Sequence, residues 1–209
     1  TLRKRDVIIS LVKARVVKRS HKYGVEIPRT VKEALALDEK NGNTFWAEAI
    51  KKEMFNVGIA FEILDDDQHI PPGWKENSAH LVFDVKMDFT RKARFVFDGH
   101  KTQKPAHSTY AGVVSRESVR IALTLAALND IPVWSADILN AYLQAPSSEK
   151  YWIRCGPEFG LENVGKRALI RRALYGGKSA GRDFRNHLRM FMSETLKFEP
   201  CPSDPDVWI

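Results

Sequence analysis

Two short runs of alternating apolar residues, Leu81-Phe83-Val85-Met87 and Phe95-Phe97, flank a polar turn from Asp88 to Lys92. That is the pattern of a hairpin with one buried face. On both sides of it the apolar spacing changes to that of a helix. Thr30 and Glu33 form a T-x-x-E capping box ahead of Ala34 to Leu37. Asn41-Gly42-Asn43 makes a turn, and Thr44 then caps a second helix in which Trp46, Ile50 and Met54 share one face until Gly58. Ser115 caps an apolar helix through Leu128, with Glu117 in the first turn, where the helix dipole favours an acid. Val133 to Ile138 reads as a buried strand, and Tyr151 to Arg154 and Arg167 to Ala173 as two more. After Gly176-Gly177 a helix runs to about Leu196 on a face of Phe184, Leu188, Phe191 and Met192, and Val207 to Ile209 begins another strand. Helices interleaved with hairpin strands exclude a doubly wound parallel sheet and give an α+β fold.

Composition narrows the function classes. The 209 residues suit one domain or two small ones, and 44% hydrophobic with 28% charged residues excludes wholesale disorder. The longest apolar stretch, Ile121 to Leu128, is too short to span a bilayer, so no membrane partner is expected. Cys155 and Cys201 are too few for a disulfide framework or a four-cysteine zinc site, which reads as a reduced intracellular protein. No phosphate loop, dinucleotide fingerprint or nucleophile elbow is present. The charge is segregated. Eight basic and two acidic side chains fall in 1–26, six and three in 84–104, and eight and one in 166–189, with acidic stretches between. Such blocks are either the footprint of a polyanion partner or separate solvated faces. Residues 1–26 read as a basic arm or linker.

One residue stands out chemically. Asp137 lies inside Val133-Trp134-Ser135-Ala136-Asp137-Ile138-Leu139. A carboxylate buried there has to be hydrogen-bonded, paired or bound to a metal. Taken alone, it reads first as a strand-end Asp capping the following turn. Asn140-Ala141-Tyr142-Leu143 follows, a small residue beside an aromatic.

At these residues the chain resembles the reverse transcriptases of copia-type retrotransposons, with matches in the family's order over roughly 27–209. Trp46-Ala47-Glu48-Ala49-Ile50 with Glu53 resembles the opening W-x-x-A-[IM]-x-x-E helix. Lys92-Ala93-Arg94-Phe95-Val96 with Gly99 resembles the K-A-R-L-V-x-x-G hairpin, and Ser118 to Leu123 the T-[IV]-R-x-L-L helix. Asp137-Ile138-Leu139-Asn140-Ala141-Tyr142-Leu143 resembles the first catalytic motif, D-V-K-x-A-[FY]-L. Ala173 to Arg182 resembles K-A-L-Y-G-L-K-Q-A-P-R, with Gly177 for the Leu before the Lys, and without its Gln and Pro. Ser203-Asp204-Pro205-Asp206-Val207-Trp208 resembles the S-D-P strand ahead of the second catalytic motif.

The resemblance implies an α+β fold of reverse-transcriptase fingers over 27–112 and a partial palm over 113–209, with fingers strands inserted near 146–172. It implies an RNA-directed DNA polymerase acting on an RNA or DNA template with primer and deoxynucleoside triphosphates. Two Mg²⁺ (or Mn²⁺) ions would assist the transfer. Asp137 would be the catalytic carboxylate and, with the backbone carbonyl of Ile138, a metal ligand. Ala141 and Tyr142 would face the nucleotide, the Tyr142 ring excluding a 2′-hydroxyl; the ring is also compatible with a core role. Lys92 and Arg94 would hold the triphosphate, or else belong to a solvated hairpin face. Tyr175 and Gly176 would pack against the nucleotide, Gly176 being otherwise a turn glycine. The block Lys166 to Arg189 would track template or primer phosphate, or form a helix's wet face. The family's second carboxylate motif follows the S-D-P strand, and the sequence stops at Ile209 ahead of it. The expectation is a chain that does not polymerise alone, with an unpaired edge strand at 207–209. The alternative is a non-catalytic nucleic-acid-binding remnant of a degenerate element. A retroelement product would reside in cytoplasmic particles or the nucleus.

Overall fold

The computed structural model describes residues 21–209. In chain order the elements are β1 (His21–Lys22), β2 (Val25–Glu26), α1 (Val31–Asn41), α2 (Phe45–Val57), β3 (Phe61–Ile63), β4 (Lys75–Glu76), β5 (Ala79–Val85) and β6 (Arg91–Phe97). Then follow α3 (Arg116–Leu128), α4 (Ala141–Gln144), β7 (Tyr151–Arg154), β8 (Arg167–Ile170), α5 (Ala180–Met190), β9 (Pro200–Cys201) and β10 (Asp204–Trp208). The result is α+β with mixed sheets, as expected. The described residues form two units, one of 21–55 with His80–Phe95, the other of Asn56–Ala79 with Val96–Ile209. The basic arm expected over 1–26 lies outside the described residues as far as 20, and its last six residues form the β1–β2 hairpin.

In the first unit the capping box forms. Thr30 Oγ1 accepts the Glu33 N–H at 3.1 Å, and Glu33 Oε2 accepts the Arg29 N–H at 2.8 Å. Gly42, at φ 63, ends α1 in the left-handed region. The cap of α2 is not Thr44, whose hydroxyl donates to Glu48 instead. Buried Asp38 of α1 takes that role, accepting the N–H groups of Trp46 at 3.1 Å and Ala47 at 2.8 Å. A carboxylate so placed satisfies orphan helix donors at the N-terminus. Trp46 and Ile50 are buried, and the Trp46 ring meets Phe83 edge-on at 5.6 Å. Leu81, Phe83 and Val85 alternate inward as the hairpin pattern requires, whereas Met87 falls past the strand and is 82% exposed.

The second unit is built on a four-stranded sheet of order β3-β8-β7-β4, antiparallel except where β4 runs parallel to β7. Leu64, Trp152 and Leu169 pack its core with Ile70 and Trp74. β8 ends at Ile170 rather than Ala173; beyond it the Arg171 N–H still bonds the Ala60 carbonyl, and Arg172 forms an isolated antiparallel bridge with Pro146. Ser115 caps α3 as expected, accepting the Ser118 N–H at 3.0 Å. Asp204 reinforces that cap from a distant part of the chain, accepting the Ser115 N–H at 2.9 Å and the Ser118 hydroxyl at 2.7 Å. The edge strand expected at 207–209 is not unpaired. It begins at Asp204 and pairs antiparallel with Pro200–Cys201, and Arg185 of α5 grips Asp206 through two 2.9 Å bonds.

Val133 to Ile138 corrects the expectation of a buried strand. The segment is irregular, and Trp134 is 90% exposed. Its composition suits a strand, but a strand is defined by its ladder, and no described strand pairs with it. The apolar face of α3 is likewise open: among its residues only Ala126 is buried.

Candidate functional site

Two of the residues singled out in the sequence, Tyr142 and Tyr175, meet in the second unit. Asn140, at φ 52, reverses the chain after Asp137 and starts α4. Asn tolerates this left-handed geometry better than most side chains. The turn seats Leu143, 2% exposed, in the core and leaves Tyr142 half-buried above it. Beneath Tyr142 lies a floor of small residues, Ala145, Ala173 and Ala180, with Phe184 beside it. Ala173 and Ala180 belong to the motif that resembled K-A-L-Y-G-L-K-Q-A, so its alanines serve to admit an aromatic ring. The Tyr142 ring leans on Tyr175 at 5.0 Å between centroids and 48° between planes.

Tyr175 and Gly176 are fixed by the end of β6. The Tyr175 carbonyl accepts the Phe97 N–H at 2.8 Å. Gly176 sits at φ 89, and a Cβ there would run into the carbonyl of Phe97 and the side chain of Val96. A Cβ on Gly99 would in turn strike the carbonyl of Gly176. The two glycines, from two different motifs, are thus needed for one close backbone crossing. Next to it, buried Asp98 accepts the Ser78 hydroxyl and the Lys101 ammonium, the latter at 2.6 Å.

Asp137 and Ile138 lie on the irregular segment that precedes Asn140, and both are exposed. Among the described residues the Asp137 carboxylate makes no hydrogen bond or ion pair, so it is open to solvent rather than buried. Ala141 opens α4 beside Tyr142 and is half-buried. Lys92 and Arg94 belong to the first unit. On β6 they alternate with buried Ala93 and Phe95 and share the outer face. Burial first, then the charges of Arg94 and Lys86, push the Lys92 ammonium below its ordinary range. Glu53 of α2 sits against this strand, its Oε1 accepting the Phe95 N–H at 2.8 Å. Burial pushes the Glu53 carboxyl up, and the Phe95 N–H, Lys92 and Arg94 pull it back.

The metal pair implied by the resemblance needs several oxygen ligands close together. Among the described residues no three His, Cys, Asp or Glu side chains gather to hold an ion. The described residues therefore do not complete such a pair, and Asp137 could be only one of its ligands.

The basic block at 166–189 is largely committed within the fold. Arg167 donates to the carbonyls of Asp66 and Gln68, Arg171 pairs with Glu62, and Arg172 bonds the Gln144 carbonyl. Lys178 reaches Thr102, Arg182 pairs with buried Asp183, Arg185 holds Asp206, and Arg189 lies over Trp208. A charge count along the sequence cannot separate such internal pairs from a free phosphate-binding face. Sequence reasoning also passed over Asp38, Asp98 and Asp183: besides near neighbours, Asp98 is bonded by Ser78 and Asp183 by Ser148, 20 and 35 residues away, and Asp38 reaches the next helix across a turn.

The family model for reverse transcriptase (RNA-dependent DNA polymerase) matches residues 65–209. The chain belongs to that family, in its copia-type branch. It is 28% identical over 161 residues to the transposon Ty1-NL2 Gag-Pol polyprotein of Saccharomyces cerevisiae, covering 74% of this chain and 9% of that protein. It is also 28% identical over 161 residues to the truncated transposon Ty1-A Gag-Pol polyprotein of the same yeast, covering 74% of this chain and 13% of the relative. The chain thus spans about a tenth of the length of the curated relatives it matches. No solved structure matches it. Among the described residues no helix is long and apolar enough to cross a membrane.

Proposed function

We propose that this chain is the nucleotide-binding part of an RNA-directed DNA polymerase from a copia-type element. The observation that carries the reading is the aromatic platform made by the ring contact between Tyr142 and Tyr175, more than thirty residues apart in sequence, with Gly176 next to Tyr175. In this reading Tyr142 lies under the sugar and rejects a 2′-hydroxyl by contact, while Ala141 leaves room beside it. Tyr175 supports the base, and Gly176 lets the strand end approach closely. Lys92 and Arg94 contact the triphosphate. Asp137, exposed and uncommitted, contributes one carboxylate toward Mg²⁺, with the Ile138 carbonyl beside it. Because a two-ion clamp needs further carboxylates, Asp137 is one part of the catalytic site in this reading.

The fingers and palm follow from the same reading, with fingers over 27–112 and palm over 113–209. Support for an insertion near 146–172 comes from β7 and β8, which pair with β4 and β3 from the earlier part of the chain. The test is primer extension by a chimaera in which residues 65–209 replace the matching stretch of a Ty1 Gag-Pol polyprotein. Tyr142→Ala is expected to raise ribonucleotide incorporation relative to deoxynucleotide incorporation. A ratio unchanged by that substitution would remove the sugar-gate role and with it the reading of the platform.

A further inference from the structure

The second unit holds a cleft of about 350 Å³, within the size range of small-ligand clefts. Four cations, Lys75, Lys104, Lys150 and Arg182, line it with His107, against one carboxylate, Glu149. Arg182 is locked in place: its guanidinium donates to Asp183, to the Ser108 carbonyl and to the Ser148 hydroxyl. Lys75 donates to Gln103. The side chains of Lys104, Lys150 and His107 have no hydrogen-bond or ion-pair partner among the described residues. An independent observation comes from Ser179, which also lines the cleft. The residue is only 1% exposed, and its hydroxyl is buried without any hydrogen-bond partner. A buried hydroxyl left unpaired is costly and calls for an explanation such as a missing ligand.

We propose that this cleft binds a phosphate group, taking its oxygens between Lys104 and Lys150 and accepting a hydrogen bond from the Ser179 hydroxyl. The committed cations of 166–189 cannot supply this function without breaking internal pairs, whereas Lys104 and Lys150 can. The phosphate is a backbone phosphate of a single-stranded polynucleotide, which rests on the proposed polymerase reading; the oxyanion chemistry rests on the cleft alone.

The test uses the full chain and the anisotropy of a labelled single-stranded oligothymidylate across a salt series. Lys104→Gln/Lys150→Gln is compared with Lys51→Gln/Lys52→Gln, exposed α2 lysines whose loss changes the net charge equally. Two lost phosphate contacts lower the slope of log affinity against log salt by about 1.4, at roughly 0.7 each for a single strand. The control pair is expected to leave that slope nearly unchanged. Ser179→Ala is expected to weaken binding about two- to fivefold while leaving thermal stability equal or higher, since its hydroxyl has no partner to lose. Inorganic pyrophosphate separates the sources. Displacement of the oligonucleotide by pyrophosphate, lost in Lys104→Gln/Lys150→Gln, assigns the cleft to free phosphates, and resistance to displacement assigns it to the backbone. Equal losses in the two double variants, no binding of either probe, or unchanged affinity in Ser179→Ala overturns the proposal. A chimaera that fails to extend primers bears on the polymerase reading and leaves this binding result standing.

Discussion

Replacing Gly176 with alanine probes how the aromatic platform is held in place. At φ 89 any Cβ meets the strain of the left-handed side of the backbone map, about 1–2 kcal/mol. The same Cβ would run into the Phe97 carbonyl, which belongs to hydrogen-bonded strand and cannot swing aside as a flexible side chain could. Forcing such an overlap costs about 1–3 kcal/mol more. Gly165 supplies the internal control: it sits at φ 83 with nothing within 4 Å of a built Cβ, so Gly165→Ala carries the backbone strain alone. The difference between the two variants is the steric part, about 1–3 kcal/mol, or roughly 2–12 °C in melting temperature for a chain of this size. Calorimetry and urea unfolding of wild type and both variants measure it directly. Equal destabilisation by the two substitutions would refute the close crossing of Gly176 over the end of β6.

Three further outcomes follow from the α3 cap and the electrostatics. Ser115→Ala removes the α3 cap and is expected to cost about 0.5–2 kcal/mol in urea unfolding. Hydrogen bonds from Ser118 and the Ser115 N–H hold the Asp204 carboxyl down, to about 2 from an ordinary 3.8. Its contribution is therefore present above pH 3.8 and lost as pH falls through about 2, so the stability gap between wild type and Asp204→Asn should close over that window. Glu53 runs the other way. Its raised pKa means a contribution fully present below 4.5 and lost as pH rises through the folded value. Glu53→Gln keeps an acceptor for the Phe95 N–H, so it should match wild type in acid and equal or exceed its stability at neutral pH.

The local elements were legible because their signals are local. The capping box at Thr30, the N-cap at Ser115, the inward alternation of Leu81, Phe83 and Val85, and the strands at 151 and 167 each depend on residues a few positions apart. What the sequence concealed depends on distant partners. Thr44 carries the composition of a cap, but Asp38 outcompetes it with a carboxylate facing two N–H groups. Val133 to Ile138 has strand composition but no described strand to pair with, which leaves Asp137 in solvent rather than in a core. The glycines at 99 and 176 read as turn residues in isolation, and only their meeting explains why neither position admits a Cβ. In the site itself, Tyr142 and Tyr175 were found as separate motif positions, and their ring contact required the fold.

The polymerase reading is tested most directly by primer extension with the Ty1 chimaera, comparing wild type with Asp137→Asn. Charge stabilisation by a bound ion is worth several kcal/mol, so losing an anionic ligand is expected to slow extension on the order of a hundredfold or more, at about 1.4 kcal/mol per tenfold. Binding of primer–template should change little, because the lost charge acts on the reacting phosphate rather than on the duplex. Equal extension rates in the two chimaeras would contradict the assignment of Asp137 and with it the account of what this chain does.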